Sequence, residues 1–99
     1  MSFEIQVESD AESTRISLAG PLTIDAHGRF IEALKKISAA TRPLVIDLGQ
    51  LDSIDSAGLG MLLLAKELSA APRARIDGAQ GGVRRALEIA HFGQLFEIS

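Results

Sequence analysis

At 99 residues, with 46% apolar and 23% charged side chains, the chain has the length for one modest core and not the composition of a disordered one. A net charge of -3 offers no basic face to a phosphate backbone, so nucleic acid is not expected as a partner. The absence of cysteine excludes disulfides, thiolate catalysis and sulfur-ligated metal.

Met1-Ser2-Phe3-Glu4 has no basic region followed by an apolar run, as a secretory signal would. Phe3 to Val7 then alternates apolar and polar residues, the period of a strand with one buried face. Asp10-Ala11-Glu12-Ser13 reads as a turn, and Arg15 to Ala19 resumes the alternation with Ile16 and Leu18 inward. These two strands are expected to form a hairpin. Gly20-Pro21 is expected to stop the second, because proline gives no N–H to a ladder. Thr23 or Asp25 can cap a helix reaching about Ala39 or Ala40, with Phe30, Leu34 and Ile37 as its core stripe. Glu32 and Lys36 stand at i, i+4 on its outer side. Thr41-Arg42-Pro43 ends it.

Leu44 to Leu48 reads as a central strand buried on both faces and interrupted by Asp47. A short polar segment follows, and from about Ala57 to Ala70 the spacing becomes helical. That helix carries Leu59, Leu62, Leu63 and Leu64 with few polar breaks, and Pro72 prevents its extension. Its longest aliphatic run, Met61 to Ala65, is far short of the roughly 20 residues of a membrane span. Ala74 to Asp77 is a fourth strand, Gly78 to Gly82 a turn, and Val83, Ala86, Leu87 and Ala90 outline a third helix. Phe92-Gly93 ends it and Leu95 to Ile98 supplies a last strand. The expected architecture is a single α/β domain over residues 1–99, in the order β-β-α-β-α-β-α-β. Its mixed sheet has the helices packed mainly on one face. The expected location is the cytoplasm, without membrane insertion.

The organising stretch is the strand-loop-helix unit whose centre is Ile54-Asp55-Ser56-Ala57-Gly58-Leu59. Ser56 sits where the helix should start, so its hydroxyl can accept a bond from an unpaired N–H one turn in. The same exposed position would also let a phosphate on the hydroxyl meet free N–H groups. Both roles are open at this point.

Other chemistries fit less well. A nucleophile elbow needs glycine two residues before and after the serine; Gly58 supplies the second, but Ile54 occupies the first place. His27 and His91, the available bases, read as surface or helix-end residues. Asp47, Asp52, Asp55 and Asp77 match no calcium-loop or two-histidine spacing, and Asp47 and Asp52 are expected to satisfy loop backbone. Gly78-Ala79-Gln80-Gly81-Gly82 lacks the lysine of a phosphate loop. Arg84 and Arg85 read as solvated. The apolar helix side around Leu59, Met61 and Leu62 is expected either to be core or to meet a protein partner.

Val45-Ile46-Asp47-Leu48, followed by Ile54-Asp55-Ser56-Ala57-Gly58-Leu59-Gly60, resembles the STAS domain family, specifically bacterial anti-sigma factor antagonists. Leu18-Ala19-Gly20-Pro21-Leu22 resembles the family's second strand and turn. Val83-Arg84-Arg85-Ala86-Leu87 with Phe92-Gly93 resembles its closing helix, so the likeness covers nearly the whole chain. The resemblance implies phosphorylation-controlled partner switching without catalytic turnover by this chain. The family's phosphorylated serine falls on Ser56 and its preceding acid on Asp55. Unmodified, such a protein captures an anti-sigma factor that is also a serine kinase; phosphorylation reverses capture and a phosphoserine phosphatase resets it. ATP would belong to the kinase, so no cofactor or metal is expected here. The implied partner-binding residues are Thr23, Asp55, Ser56, Ala57, Gly58, Leu59, Met61 and Leu62. One departure is Thr23, which stands where the family often has an acid after G-x-L. The alternative implied by the same family is the cytoplasmic STAS subunit of a phospholipid-transport ABC complex, docking on its ATPase, where threonine is common at the position of Ser56.

Overall fold

The alternation at the start of the chain becomes an edge strand, β1 (Glu4–Ser9), whose Ile5 and Val7 pack on the core while Glu4, Gln6 and Glu8 face water. Asp10 closes the hairpin by accepting the N–H groups of Glu12 and Ser13 through Oδ1, a side chain imitating a backbone turn. The computed structural model describes residues 2–37, 43–69 and 73–99. After β1 come β2 (Thr14–Leu22), a 3-10 turn (Ile24–Ala26), α1 (His27–Leu34), β3 (Leu44–Ile54) and α2 (Ser56–Ser69). Then follow β4 (Ala74–Asp77), α3 (Gly81–Ile89), a second 3-10 turn (Phe92–Gln94) and β5 (Glu97–Ile98). The expected order of strands and helices holds.

The sheet runs β1-β2-β3-β4-β5, antiparallel between β1 and β2 and parallel thereafter. Each parallel step is bridged by a helix, and growth in one direction keeps the helices on one face. Burial along β2 records this: Thr14, Ile16, Leu18, Gly20 and Leu22 are buried, while Arg15, Ser17, Ala19 and Pro21 are half-buried. The covered face carries Ile16, Leu18, Ile46 and Ile76, which meet Phe30, Leu62 and Leu87 from the three helices. Each such side chain contributes roughly 1.5–3 kcal/mol on burial. The opposite face is polar. There Arg15 pairs with Asp47 at 3.0 Å, and Arg75 meets Asp77 at 2.8 Å. These partly exposed pairs contribute about 0–1 kcal/mol each.

Several boundaries differ from those read in the sequence. β2 does not stop at Gly20-Pro21 but runs to Leu22. Gly20 takes φ +81, where a Cβ would also meet the Ser2 carbonyl oxygen at 2.5 Å. The register shifts between Gly20 and Pro21, and bulges of this kind accommodate a residue that gives no ladder donor. β3 likewise continues past Leu48 to Ile54, and the polar segment read as loop, Asp52 included, is strand. Asp47 lies half-buried on the open face and accepts the Gly49 N–H at 2.9 Å.

The first helix is shorter than expected, because a 3-10 turn precedes it and regular α structure ends at Leu34. Phe30 and Leu34 are buried and Ile37 packs against the core beyond the helix end. Lys35, rather than Lys36, pairs with Glu32, at 3.1 Å. The expected extension to Ala39 or Ala40, its Thr41-Arg42 stop and the Pro72 stop lie outside the described residues. Phe92 and Phe96 stack at 5.5 Å across the second 3-10 turn, leaving β5 only two residues.

Candidate functional site

The site stands on an extension of the sheet made by β2 and β3 alone. β4 ends at Asp77, level with Asp47, whereas β3 continues to Ile54 paired with Leu22 of β2. The β2 end and the start of α2 therefore sit side by side.

Asp55 ties them together. Its Oδ1 accepts the Gly58 N–H at 2.8 Å, the bond by which an N-cap satisfies the third amide of a helix. Its Oδ2 accepts the Ile24 N–H at 3.3 Å, and its own N–H donates to the Leu22 carbonyl. The carbonyl of Asp55 takes the first helical bond, from Leu59 N–H, at 3.0 Å. The cap is thus Asp55 and not Ser56, which is the first residue of α2. Aspartate and serine cap comparably, so the cap expected at Ser56 falls one residue earlier, where the backbone turns into the helix. With capping done by its neighbour, the exposed Ser56 hydroxyl is not needed for that task.

Gly58 is buried where α2 passes the end of β2. A Cβ there would collide with the Leu22 carbonyl oxygen and come within 2.7 Å of Ile54 Cγ1. No side chain fits, and this close approach sets the start of α2 against the end of β2.

Helical spacing then sorts α2 into two faces. Gly58, Met61, Leu62 and Ala65 point into the core. Ser56, Leu59, Gly60 and Leu63, at i, i+3, i+4 and i+7, form a stripe that is exposed or half-buried. Met61 and Leu62 are 2% and 0% exposed, which corrects their expected place on the contact face: they support the helix from below. Ala57 is half-buried. Thr23 is half-buried and extended, and caps the 3-10 turn without a side-chain hydrogen bond.

The residue that sequence reading missed is Ile24, 62% exposed although large and apolar. It is held by its N–H on Asp55 and by the turn bond from Ala26 N–H to the Thr23 carbonyl. Its only sequence signal was an apolar residue in a capping segment, which core packing would explain equally well. Between Arg15 and Arg29, and between Arg42 and Lys66, the sequence has no lysine or arginine; the acid that the structure shows at the turn is Asp55.

No group of three His, Cys, Asp or Glu side chains that could hold a metal occurs among the described residues. His27 opens α1 and His91 follows α3 in a left-handed conformation, φ 57; both are exposed. Among the described residues no helix is long and apolar enough to cross a membrane.

The family model described as "Mlab, STAS domain" matches residues 5–97. A STAS-domain containing protein of Pseudomonas aeruginosa (strain UCBPP-PA14) is 34% identical over 101 residues, covering 100% of both chains. Among solved structures, an anti-sigma factor antagonist from Mycobacterium paratuberculosis superposes with TM-score 0.81 at 20% identity, covering 98% of this chain and 85% of that one. The anti-sigma factor antagonist SpoIIAA in its unphosphorylated form gives 0.77 at 22% identity, covering 97% and 88%. Its phosphorylated form, described as a Bacillus cell fate determinant, gives 0.63 at 17%, covering 97% and 91%. At these identities the solved structures share the fold. The match across residues 5–97 and the 34% identity over the full chain go further: this chain belongs to the STAS domain family.

Proposed function

We propose that this domain is an anti-sigma factor antagonist acting by phosphorylation-controlled partner switching in the cytoplasm, with Ser56 as the phosphorylated residue. The observation that carries the reading is the placement of Ser56: exposed, first in α2, relieved of capping by Asp55, and heading the outward stripe with Leu59, Gly60 and Leu63. Unmodified, this stripe and the Thr23-Ile24 turn meet an anti-sigma factor that is also a serine kinase. The kinase transfers the γ-phosphoryl group of ATP to Ser56 Oγ, releasing ADP and the hydroxyl proton, and a phosphoserine phosphatase hydrolyses it back. The phosphate adds about -1.5 to -2 charges beside the Asp55 carboxylate. Burying that charge against a partner costs desolvation and repulsion, while the N-terminus of α2 tolerates it in the free domain. Binding is then lost without unfolding. The chain itself performs no turnover and takes no cofactor or metal.

Two observations favour a second reading, a STAS subunit docking on the ATPase of a phospholipid-transport ABC complex. Thr23 supplies no charge where antagonists often carry an acid, and the matched family description names no sigma factor. Affinity capture of the native protein, with intact mass measurement, separates the two. A small kinase partner and a phosphate on Ser56 support the antagonist; an ATPase with a permease and no phosphate overturns it.

A further inference from the structure

We infer that Asp55 is a positioning residue through which phosphate on Ser56 releases the Ile24 turn, so that modification moves an apolar contact residue as well as adding charge. This rests on the reading of Ser56 as the modified residue. One carboxylate holds both sides of the site, Gly58 N–H at 2.8 Å through Oδ1 and Ile24 N–H at 3.3 Å through Oδ2. A phosphate on the adjacent residue repels this carboxylate and weakens its hold on its partners. Of the two carboxylate bonds the Gly58 bond is the shorter and closes the helix end, whereas the Ile24 bond is longer and exposed. The bond given up is therefore the one to Ile24. The 3-10 turn keeps its own bond from Ala26 N–H to the Thr23 carbonyl at 2.9 Å, so it shifts as a unit and carries the exposed Ile24 side chain with it.

The test needs no partner. Amide exchange and amide-proton shifts are read by NMR on the unmodified protein, on protein carrying phosphoserine at position 56, and on Asp55→Asn. Asparagine keeps one oxygen for the Gly58 cap but presents an NH2 group where Ile24 N–H needs an acceptor. The Ile24 amide is expected to exchange about tenfold faster in both altered proteins, the scale of losing a hydrogen bond to a charged group. The Ala26 amide, bonded within the turn, stays unchanged. An Ile24 amide equally protected with and without the phosphate overturns the inference, and this arm holds even if Asp55→Asn folds poorly. Kinase capture is measured separately on the same phosphoprotein. Release of Ile24 with capture intact leaves the inference standing and ends the partner-switching reading; loss of capture with Ile24 still protected does the reverse.

Discussion

Two helices start after parallel strands of this sheet and are built in opposite ways. α2 follows β3 at once: Asp55 caps it, Gly58 is wedged under the Leu22 carbonyl, and its outward stripe carries no charge. α3 follows β4 after a glycine turn, and its N-cap, Gln80, makes no side-chain cap bond. Gly81 and Gly82 there have open space around them, and Arg84 faces water with a loose contact to Glu88 at 3.7 Å. The strand-end aspartates show the same divergence. Asp55 directs both oxygens to backbone amides, whereas Asp77 directs them to the Arg75 guanidinium and Ser99 hydroxyl. A helix start that is capped by a side chain and pinned to a neighbouring turn is suited to present one hydroxyl reproducibly. A start that is glycine-rich and uncapped is not. This difference, beside the motif around Ser56, supports the proposed placement of the site at the start of α2.

Substitutions can break or sharpen this contrast. The largest effect is expected at Gly58, where added bulk meets backbone. Gly58→Ala should destabilise by about 3 kcal/mol through overpacking against backbone, read as a lowered denaturant midpoint; an unchanged midpoint would mean that the wedge is not tight. Next is Ser56→Asp, which should weaken capture of the proposed kinase partner about a hundredfold through like-charge and desolvation costs. Its melting curve should stay near native, because an acid in the first turn suits the helix dipole. Binding measured by calorimetry beside a thermal melt distinguishes this from a structural loss.

On the α3 side the expected changes are gains. Gln80→Asp should add the missing cap and stabilise by about 1 kcal/mol, and Gly82→Ala by about 0.5 kcal/mol through reduced unfolded-chain entropy. Chemical denaturation of the two variants checks both, and losses of stability would show that the α3 start is not as loose as it stands. The smallest effect concerns pH. The Arg75 hydrogen bonds, with that of Ser99, hold the Asp77 carboxyl below its ordinary value of 3.8. A group with a lowered folded pKa stabilises fully above its unfolded value, and that contribution is lost as pH falls through the folded value. Melting temperature of the wild type should therefore decline more steeply below about pH 4 than that of Asp77→Asn. Parallel curves would remove Arg75 from the account.

Much of this molecule was legible in the residues. Period-two alternation located β1 and the body of β2, the run of aliphatic residues located β3, and the change of period between Ile54 and Leu59 located the strand-to-α2 junction. Those signals are local: side-chain direction repeats every two residues in a strand and every 3.6 in a helix, so burial on one face is written directly into the order of residues. The motif likewise pointed to Ser56 and Asp55. The order of residues put the cap on Ser56 and not on Asp55, put Met61 and Leu62 on the contact face, and gave no sign that Ile24 is tied to Asp55. Aspartate and serine are equivalent to a helix end until the backbone chooses a first residue. An apolar helix shows no contrast between its faces, so Met61 and Leu62 could be told from Leu59 only when the sheet covered one side. The strand ends misled for a related reason. Gly20-Pro21 and Asp52-Ser53 are poor strand residues in isolation, yet β2 and β3 pair through them, Gly20 opposite Leu51 and Pro21 opposite Ser53, with Asp52 taken up by the bulge. Composition and period thus determined the elements and their order. The site itself, one carboxylate bridging segments 31 residues apart, came into being only when long-range pairing brought the ends of β2 and β3 together.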